Sequence, residues 1–227
     1  MLCPVCSRVE QHFAKAVAYG SYQGGLRELI HLLKYGGVRP AAGVLGRMLA
    51  EAISARGLGD SAGFASCPVL VVPVPLHRSR RSQRRFNHAE LIARAALKLL
   101  RADGRVVRNR MLRNGMSLGG DVLERKRETQ SQTGLTIRQR QENVRGAFAV
   151  RCAEEVNGRE VLLVDDVYTT GATVSECARV LRRAGATKVW VATVARTLKL
   201  ASKYGETNPA VGGTSDDAET PLAKAVS

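Results

Sequence analysis

The 227-residue chain carries a formal net charge of +15, and 44% of its residues are hydrophobic, an ordinary fraction for a folded domain. No apolar run approaches the roughly 20 residues that span a bilayer and residues 1–10 lack the apolar core of a signal peptide, so a soluble cytoplasmic protein with no membrane partner is expected. Five scattered cysteines, Cys3, Cys6, Cys67, Cys152 and Cys177, do not make a secreted disulfide framework.

Charge is unevenly placed. Residues 77–151 hold 19 Lys/Arg against 6 Asp/Glu, a net of +13, while the segments on either side are close to neutral. A basic middle third calls for polyanionic partners, either a phosphorylated ligand or nucleic acid.

In chain order, residues 1–18 read as a short lead with a Cys3-Pro-Val-Cys6 knuckle. Residues 19–36 read as a turn and then a helix, because Leu26, Leu29, Ile30, Leu32 and Leu33 fall near helical spacing. A second helix is expected over Ala41–Ala55, then a loop over residues 56–66. Val69–Val72 is an apolar β-type run closed by prolines. His77–Asn87 is a basic loop, and Ala89–Arg101 an amphipathic helix. Val106–Met111 and Ala147–Val150 have the composition of short strands. Leu123–Arg145, polar and rich in Gln, reads as a long exposed arm. Glu160–Val164 is an apolar strand ending in Asp165-Asp166, Thr173–Ala184 a helix and Lys188–Val194 a strand. Strand, helix and strand within about 35 residues make a βαβ unit and imply a parallel sheet. From about residue 201 to residue 227 the composition is that of a disordered tail.

The segment Val161–Thr173, VLLVDDVYTTGAT, joins three features. A buried strand delivers the next residues to the carboxyl edge of a sheet, where open α/β proteins bind ligands. Two carboxylates, Asp165 and Asp166, can accept hydrogen bonds from vicinal hydroxyls and help hold a hydrated magnesium ion. A Thr/Gly loop then opens a helix whose first N–H groups lack intrahelical acceptors and suit a phosphate. Thr173-Val-Ser-Glu176 matches a capping box. An isolated acidic pair is usually a solvated turn; the contiguous combination points to a ribose-phosphate site.

These residues resemble the 5-phosphoribosyl-1-pyrophosphate (PRPP) signature of the type I phosphoribosyltransferases. The resemblance implies that Asp165 and Asp166 are catalytic and contact ribose hydroxyls. It implies that Val164, Thr169, Thr170, Gly171, Ala172 and Thr173 complete the ligand site, with the loop cradling the 5′-phosphate. Pro73-Val-Pro-Leu-His77, Arg78, Arg81, Arg85, Phe86 and Asn87 resemble the PVPLHxxRxxxRGFNQ motif of the ComF-like competence proteins. Arg127-Glu-Thr129, Gln132, Leu135, Arg140 and Asn143 to Phe148 are similar to a second motif, and Lys34-Tyr35-Gly36 lies in a third matching stretch. The match covers roughly residues 17–197.

The resemblance implies an α/β fold, a type I phosphoribosyltransferase-like parallel sheet flanked by helices, over residues 19–200. A long flexible hood over 125–145 and a residual Cys knuckle over 1–18 would accompany it. His77, Arg78, Arg81 and Arg85 would bind pyrophosphate. The implied activity is Mg²⁺-dependent transfer of a phosphoribosyl group to an unidentified acceptor, in the glycosyltransferase class and associated with DNA uptake in competence. The alternative is a non-catalytic module that binds single-stranded DNA or a competence helicase-like ATPase; a homodimer is compatible with either. Three departures from the family pattern stand out. Only one Cys pair is present where zinc needs four ligands, so no bound zinc is expected. The usual Gly of the basic loop is Arg85, and the usual Gln is His88.

Overall fold

The computed structural model describes residues 11–55, 68–79, 82, 85–102, 115–129 and 134–197. In chain order these form β1 (Lys15–Ser21), α1 (Gly24–Lys34), α2 (Ala41–Ala55), β2 (Val69–Pro73), α3 (His88–Ala102), β3 (Met116–Leu118) and β4 (Leu123–Arg125). There follow α4 (Ile137–Val144), β5 (Phe148–Val150), α5 (Ala153–Val156), β6 (Glu160–Tyr168), α6 (Ala172–Arg183) and β7 (Lys188–Arg196). The Cys3–Cys6 knuckle, the expected strand Val106–Met111 and the tail from residue 201 lie outside the described residues.

Five strands make one parallel sheet in the order β1-β7-β6-β2-β3, and β4 pairs antiparallel with β5 in a separate ribbon. The central strands are apolar runs because helices cover both faces. β2 is buried along its whole length. In β6 the alternation of side chains divides the core: Leu162 and Val164 join Leu45, Leu49, Ile53, Ile92 and Leu100 of α2 and α3. Val161 and Leu163 join Val174, Cys177 and Leu181 of α6, with Phe148 of β5. Where α2 meets α3, Gly46 lets the backbones approach, since a Cβ there would lie 2.4 Å from the Ala95 methyl carbon. This is a parallel sheet covered by helices on both faces, the α/β architecture that the resemblance implies. No helix among the described residues is long and apolar enough to cross a membrane.

The helices and central strands fall close to the expected positions, and α2 matches Ala41–Ala55. Three differences matter. First, β1 occupies Lys15–Ser21, crossing the position where the sequence reading begins the domain; its register runs from Lys15 opposite Trp190 to Ser21 opposite Arg196. Only Val17 of this edge strand is buried, so it carries little hydrophobic signal. Second, the exposed arm contains β4 and the helix α4. Third, β6 continues beyond the acidic pair to Tyr168, which pairs with Arg196.

Candidate functional site

Chain path creates the crevice. From β2 the chain crosses through α3 outward to β3; from β6 it crosses through α6 outward to β7. The connections diverge between β2 and β6, the switch point at which open α/β sheets bind ligands. The basic loop after β2 and the Thr/Gly loop after β6 are therefore neighbours. Register confirms the adjacency: Pro73 lies opposite Val164 in β6, with Ala192 of β7 on the other side. Val164 is a buried core residue that fixes the start of the acidic pair.

The two carboxylates have different surroundings. Asp166 is 4% exposed. Its Oδ1 accepts the Val167 N–H at 2.8 Å. Its Oδ2 forms an ion pair with Lys34 Nζ at the end of α1 and lies 3.4 Å from His88 Nε2 at the start of α3. Asp165 is less enclosed, and its Oδ1 accepts the Asp166 N–H at 2.9 Å. Ligand atoms of Asp165, Asp166 and His88 all lie within 4.8 Å of one another. Successive residues on a strand turn to opposite faces, yet the fold-back of Asp165 keeps both carboxylates at one point of the sheet edge.

Electrostatics separates the pair further. Burial and the Asp166 charge push Asp165 up, to about 8. Burial also works to raise Asp166, but His88 and Lys34 overcome it and hold it down at about 2. Burial opposes the Lys34 charge, and Asp166 more than restores it. Neither Lys34 nor His88 has a role in the sequence reading. Both stand within motif stretches, at Lys34-Tyr35-Gly36 and at the Gln-to-His position, which is the signal that could have found them.

The loop after β6 has the form of an anion cradle. Gly171 caps α6 at φ 80, and a Cβ there would lie 2.4 Å from the Tyr168 hydroxyl. Thr170 is 6% exposed, and its hydroxyl oxygen is buried without a hydrogen-bond partner among the described residues. Ala172 and Thr173 form the first turn of α6, whose leading N–H groups lack intrahelical acceptors. The Thr169 carbonyl accepts the Thr197 hydroxyl at 3.4 Å.

The expected capping box at Thr173–Glu176 is not the cap of this helix. α6 starts at Ala172 with Gly171 before it, and Glu176 is turned elsewhere. Its carboxylate accepts the Gly146 N–H at 2.7 Å and two Arg179 donors at 2.6 and 2.8 Å. Burial tends to raise Glu176, but these donors lower it below the usual carboxylate value. A depressed folded value means stability that is present above the ordinary carboxyl range and lost as pH falls through the folded value. Glu176→Gln should thus cost about 1–2 kcal/mol at pH 7, with the gap from the parent protein closing below about pH 4; thermal melts of both proteins from pH 7 to pH 3 measure this.

Of the expected pyrophosphate residues, Arg81 lies outside the described residues. His77 Nδ1 lies 3.0 Å from Ser79 Oγ, whose hydroxyl donates to Glu128 at 2.7 Å. The arm after β4 therefore already touches the basic loop. Arg78 lines a small cavity of about 80 Å³ beside Asn87, Glu90 and Asp121. Asn87 closes the loop: its amide donates to the Val74 carbonyl at 3.1 Å while its side-chain oxygen accepts the Ala89 N–H at 3.1 Å, an N-cap for α3.

Arg85 stands at φ 61, in the left-handed region. The loop takes a glycine-like turn at a position where the family pattern has glycine, at a cost of roughly 1–2 kcal/mol for a residue with a Cβ. Arg85→Gly should raise stability by about 1 kcal/mol in chemical denaturation. A loss of stability would show that contacts of the arginine outweigh the backbone strain.

Comparison with known proteins agrees with the geometry. A model of the phosphoribosyl transferase domain matches residues 95–221, more than half of the chain. The DNA utilization protein YhgH of Escherichia coli (strain K12) is 32% identical over 197 residues, which cover 86% of this chain and 78% of that protein. Competence protein F of Haemophilus influenzae is 29% identical over 195 residues, with the same shares covered. A shorter match, 32% over 69 residues, links the chain to the orotate phosphoribosyltransferase of Xylella fastidiosa, covering 30% of this chain and 32% of that enzyme. The fold class is thus that of the phosphoribosyltransferases. Within it, the chain belongs to the ComF-like branch of the type I family.

Proposed function

We propose that the protein binds PRPP at the β2–β6 crevice and transfers its phosphoribosyl group to an acceptor. The observation that carries this reading is the buried Thr170 hydroxyl, without a hydrogen-bond partner among the described residues, beside left-handed Gly171 at the start of α6, on the loop that follows Asp165 and Asp166. A phosphate would satisfy that hydroxyl and the first helical N–H groups together. Asp165 would accept from the ribose hydroxyls. Asp166, tied to Lys34 and His88, would hold Asp165 and the strand in place.

In the reaction, the C1–O bond to pyrophosphate breaks with its electron pair leaving on pyrophosphate, and the acceptor forms the new bond at C1. His77, Arg78, Arg81 and Arg85 belong to the loop that would neutralise the leaving group. Magnesium usually takes one or two carboxylates plus phosphate oxygens and water. Asp165, in its ionised form above about pH 8, would fit that demand, whereas Oδ2 of Asp166 already faces a lysine. When bound, Mg²⁺ would supply further neutralisation of the pyrophosphate. The Glu128–Ser79 contact supports a hood that reaches the ligand loop.

The printed names of the relatives, a DNA utilization protein and a competence protein, support a setting in DNA uptake. A cytoplasmic location goes with this reading, because PRPP is an intracellular metabolite. Titration calorimetry with PRPP and Mg²⁺ tests the binding, and release of pyrophosphate across a panel of acceptors tests turnover. Absence of heat with the wild-type protein would reject the ligand assignment.

A further inference from the structure

The arm is tied down at its base. Where the chain leaves β4, the Lys126 N–H donates to the Ala147 carbonyl at 2.9 Å. The Arg127 guanidinium donates to the carbonyls of Asn143 and Arg145 at 2.9 and 3.1 Å, joining the outgoing limb of the arm to the returning one. Arg125 donates to the hydroxyl of Thr129, which is buried. Glu128 stands between these anchors, so its place beside the basic loop is set by the base of the arm.

Its carboxylate meets that loop as an anion would. Residues 77–87 carry five arginines and one histidine and no acidic residue. The Ser79 hydroxyl donates to Glu128 Oε1 at 2.7 Å, and Oε2 lies 3.9 Å from His77 Nδ1. Two oxygens of one carboxylate thus face the two polar side chains of one turn, the arrangement that two oxygens of a phosphate can take. The Glu128 side chain is 61% exposed, so it can move from the turn into water without stranding a buried charge.

We propose that Glu128 is an internal competitor for pyrophosphate: its carboxylate takes an anion position in the His77–Ser79 turn, and pyrophosphate, alone or as part of PRPP, must displace it. The proposal rests on reading the loop after β2 as the pyrophosphate site. One hydroxyl hydrogen cannot serve the carboxylate and a phosphate oxygen together, and the two anions repel each other at that separation. Glu128 therefore lowers the affinity of the loop for pyrophosphate. It also offsets the mutual repulsion of the arginines, and its return to Ser79 favours departure of pyrophosphate after transfer.

Calorimetric titration with inorganic pyrophosphate and Mg²⁺ provides the test. Glu128→Gln keeps the side-chain length and an oxygen that can accept from Ser79, but removes the charge. It should bind pyrophosphate about fivefold more tightly than the parent protein, the effect of lifting one like charge about 4 Å away in water. The advantage should shrink as salt is raised. Glu142→Gln removes the same charge from an exposed carboxylate on α4 that pairs with Arg138; it should leave affinity within about twofold, because solvent screens a charge that does not touch the loop. Unchanged or weaker binding by Glu128→Gln would overturn the proposal and leave the pyrophosphate reading of the loop intact. Equal tightening by Glu142→Gln would overturn it in favour of net charge alone. No binding by the parent protein or either variant would overturn the reading of the loop itself, and the proposal with it.

Discussion

Replacing Lys34 by methionine should lower the unfolding free energy by about 3 kcal/mol. The side chain is not needed for packing bulk, since methionine has a similar length. What it removes is the ion-pair partner of a carboxylate that is 4% exposed. Breaking a buried pair from one side strands the other charge, at a cost of about 3–5 kcal/mol. The lower end applies here because His88 remains 3.4 Å from the same oxygen. In a chain of this size each kcal/mol moves the melting temperature by about 2–4 °C, so a fall of roughly 6–12 °C is expected. The double variant Lys34→Met/Asp166→Asn should recover most of the loss, since it leaves no isolated charge. A double-mutant cycle by chemical denaturation measures this directly. Equal, additive losses would mean that Lys34 and Asp166 stabilise the fold by separate routes.

Asp165→Asn should weaken PRPP binding about 100-fold, while Asp166→Asn should weaken it by tenfold or less. Asp165 is pushed up to about 8, so the comparison is made at about pH 9, where it is ionised. Hydrogen bonds to a charged acceptor contribute about 1.5–3 kcal/mol, and Asp165 is the carboxylate with capacity left for a ligand. Asparagine at 165 can still accept the Asp166 N–H through its carbonyl oxygen, so the strand geometry is kept. Asp166 has both oxygens engaged within the protein; its amide would show chiefly as lost stability, because Lys34 is then left without its partner. Calorimetry at a temperature where all three proteins are folded separates the effects. An equal loss of affinity in both variants would show that the ligand displaces Lys34 and reaches Asp166 as well.

Much of the fold could be read from the sequence, because its central elements bury long apolar faces. α2, α3, α6, β2 and β6 each write their burial into hydrophobic spacing. The elements that escaped notice bury little. Val17 alone is buried in β1, and Val144 alone in α4. α4 is held instead by a true capping box, with Thr136 accepting the Gln139 N–H and Gln139 reaching back to the Thr136 N–H. The same motif at Thr173–Glu176 caps nothing, since the tertiary contacts of Glu176 with Gly146 and Arg179 draw it away. A four-residue pattern records a local possibility, and packing decides which copy is used.

The candidate site divides in the same manner. The acidic pair and the Thr/Gly loop are contiguous, so one stretch of sequence displays them. Lys34 and His88 come from α1 and α3 and meet Asp166 only after the sheet has assembled; no spacing rule connects them to it. Arg85 shows the reverse case. Its residue type argues against a glycine-like turn, and the loop takes that turn regardless.

The register of β1 also bears on how the chain is made. Lys15 pairs with Trp190, and among the described residues the sheet edge that β1 needs is provided by β7. A ribosome adding roughly 5–20 residues per second would leave β1 without its partner for about 10–35 seconds. Throughout that interval β1 waits as an unpaired edge while the central strands emerge, so completion of the sheet follows the emergence of β7. A chaperone that shields nascent chains would find its natural client in that early segment.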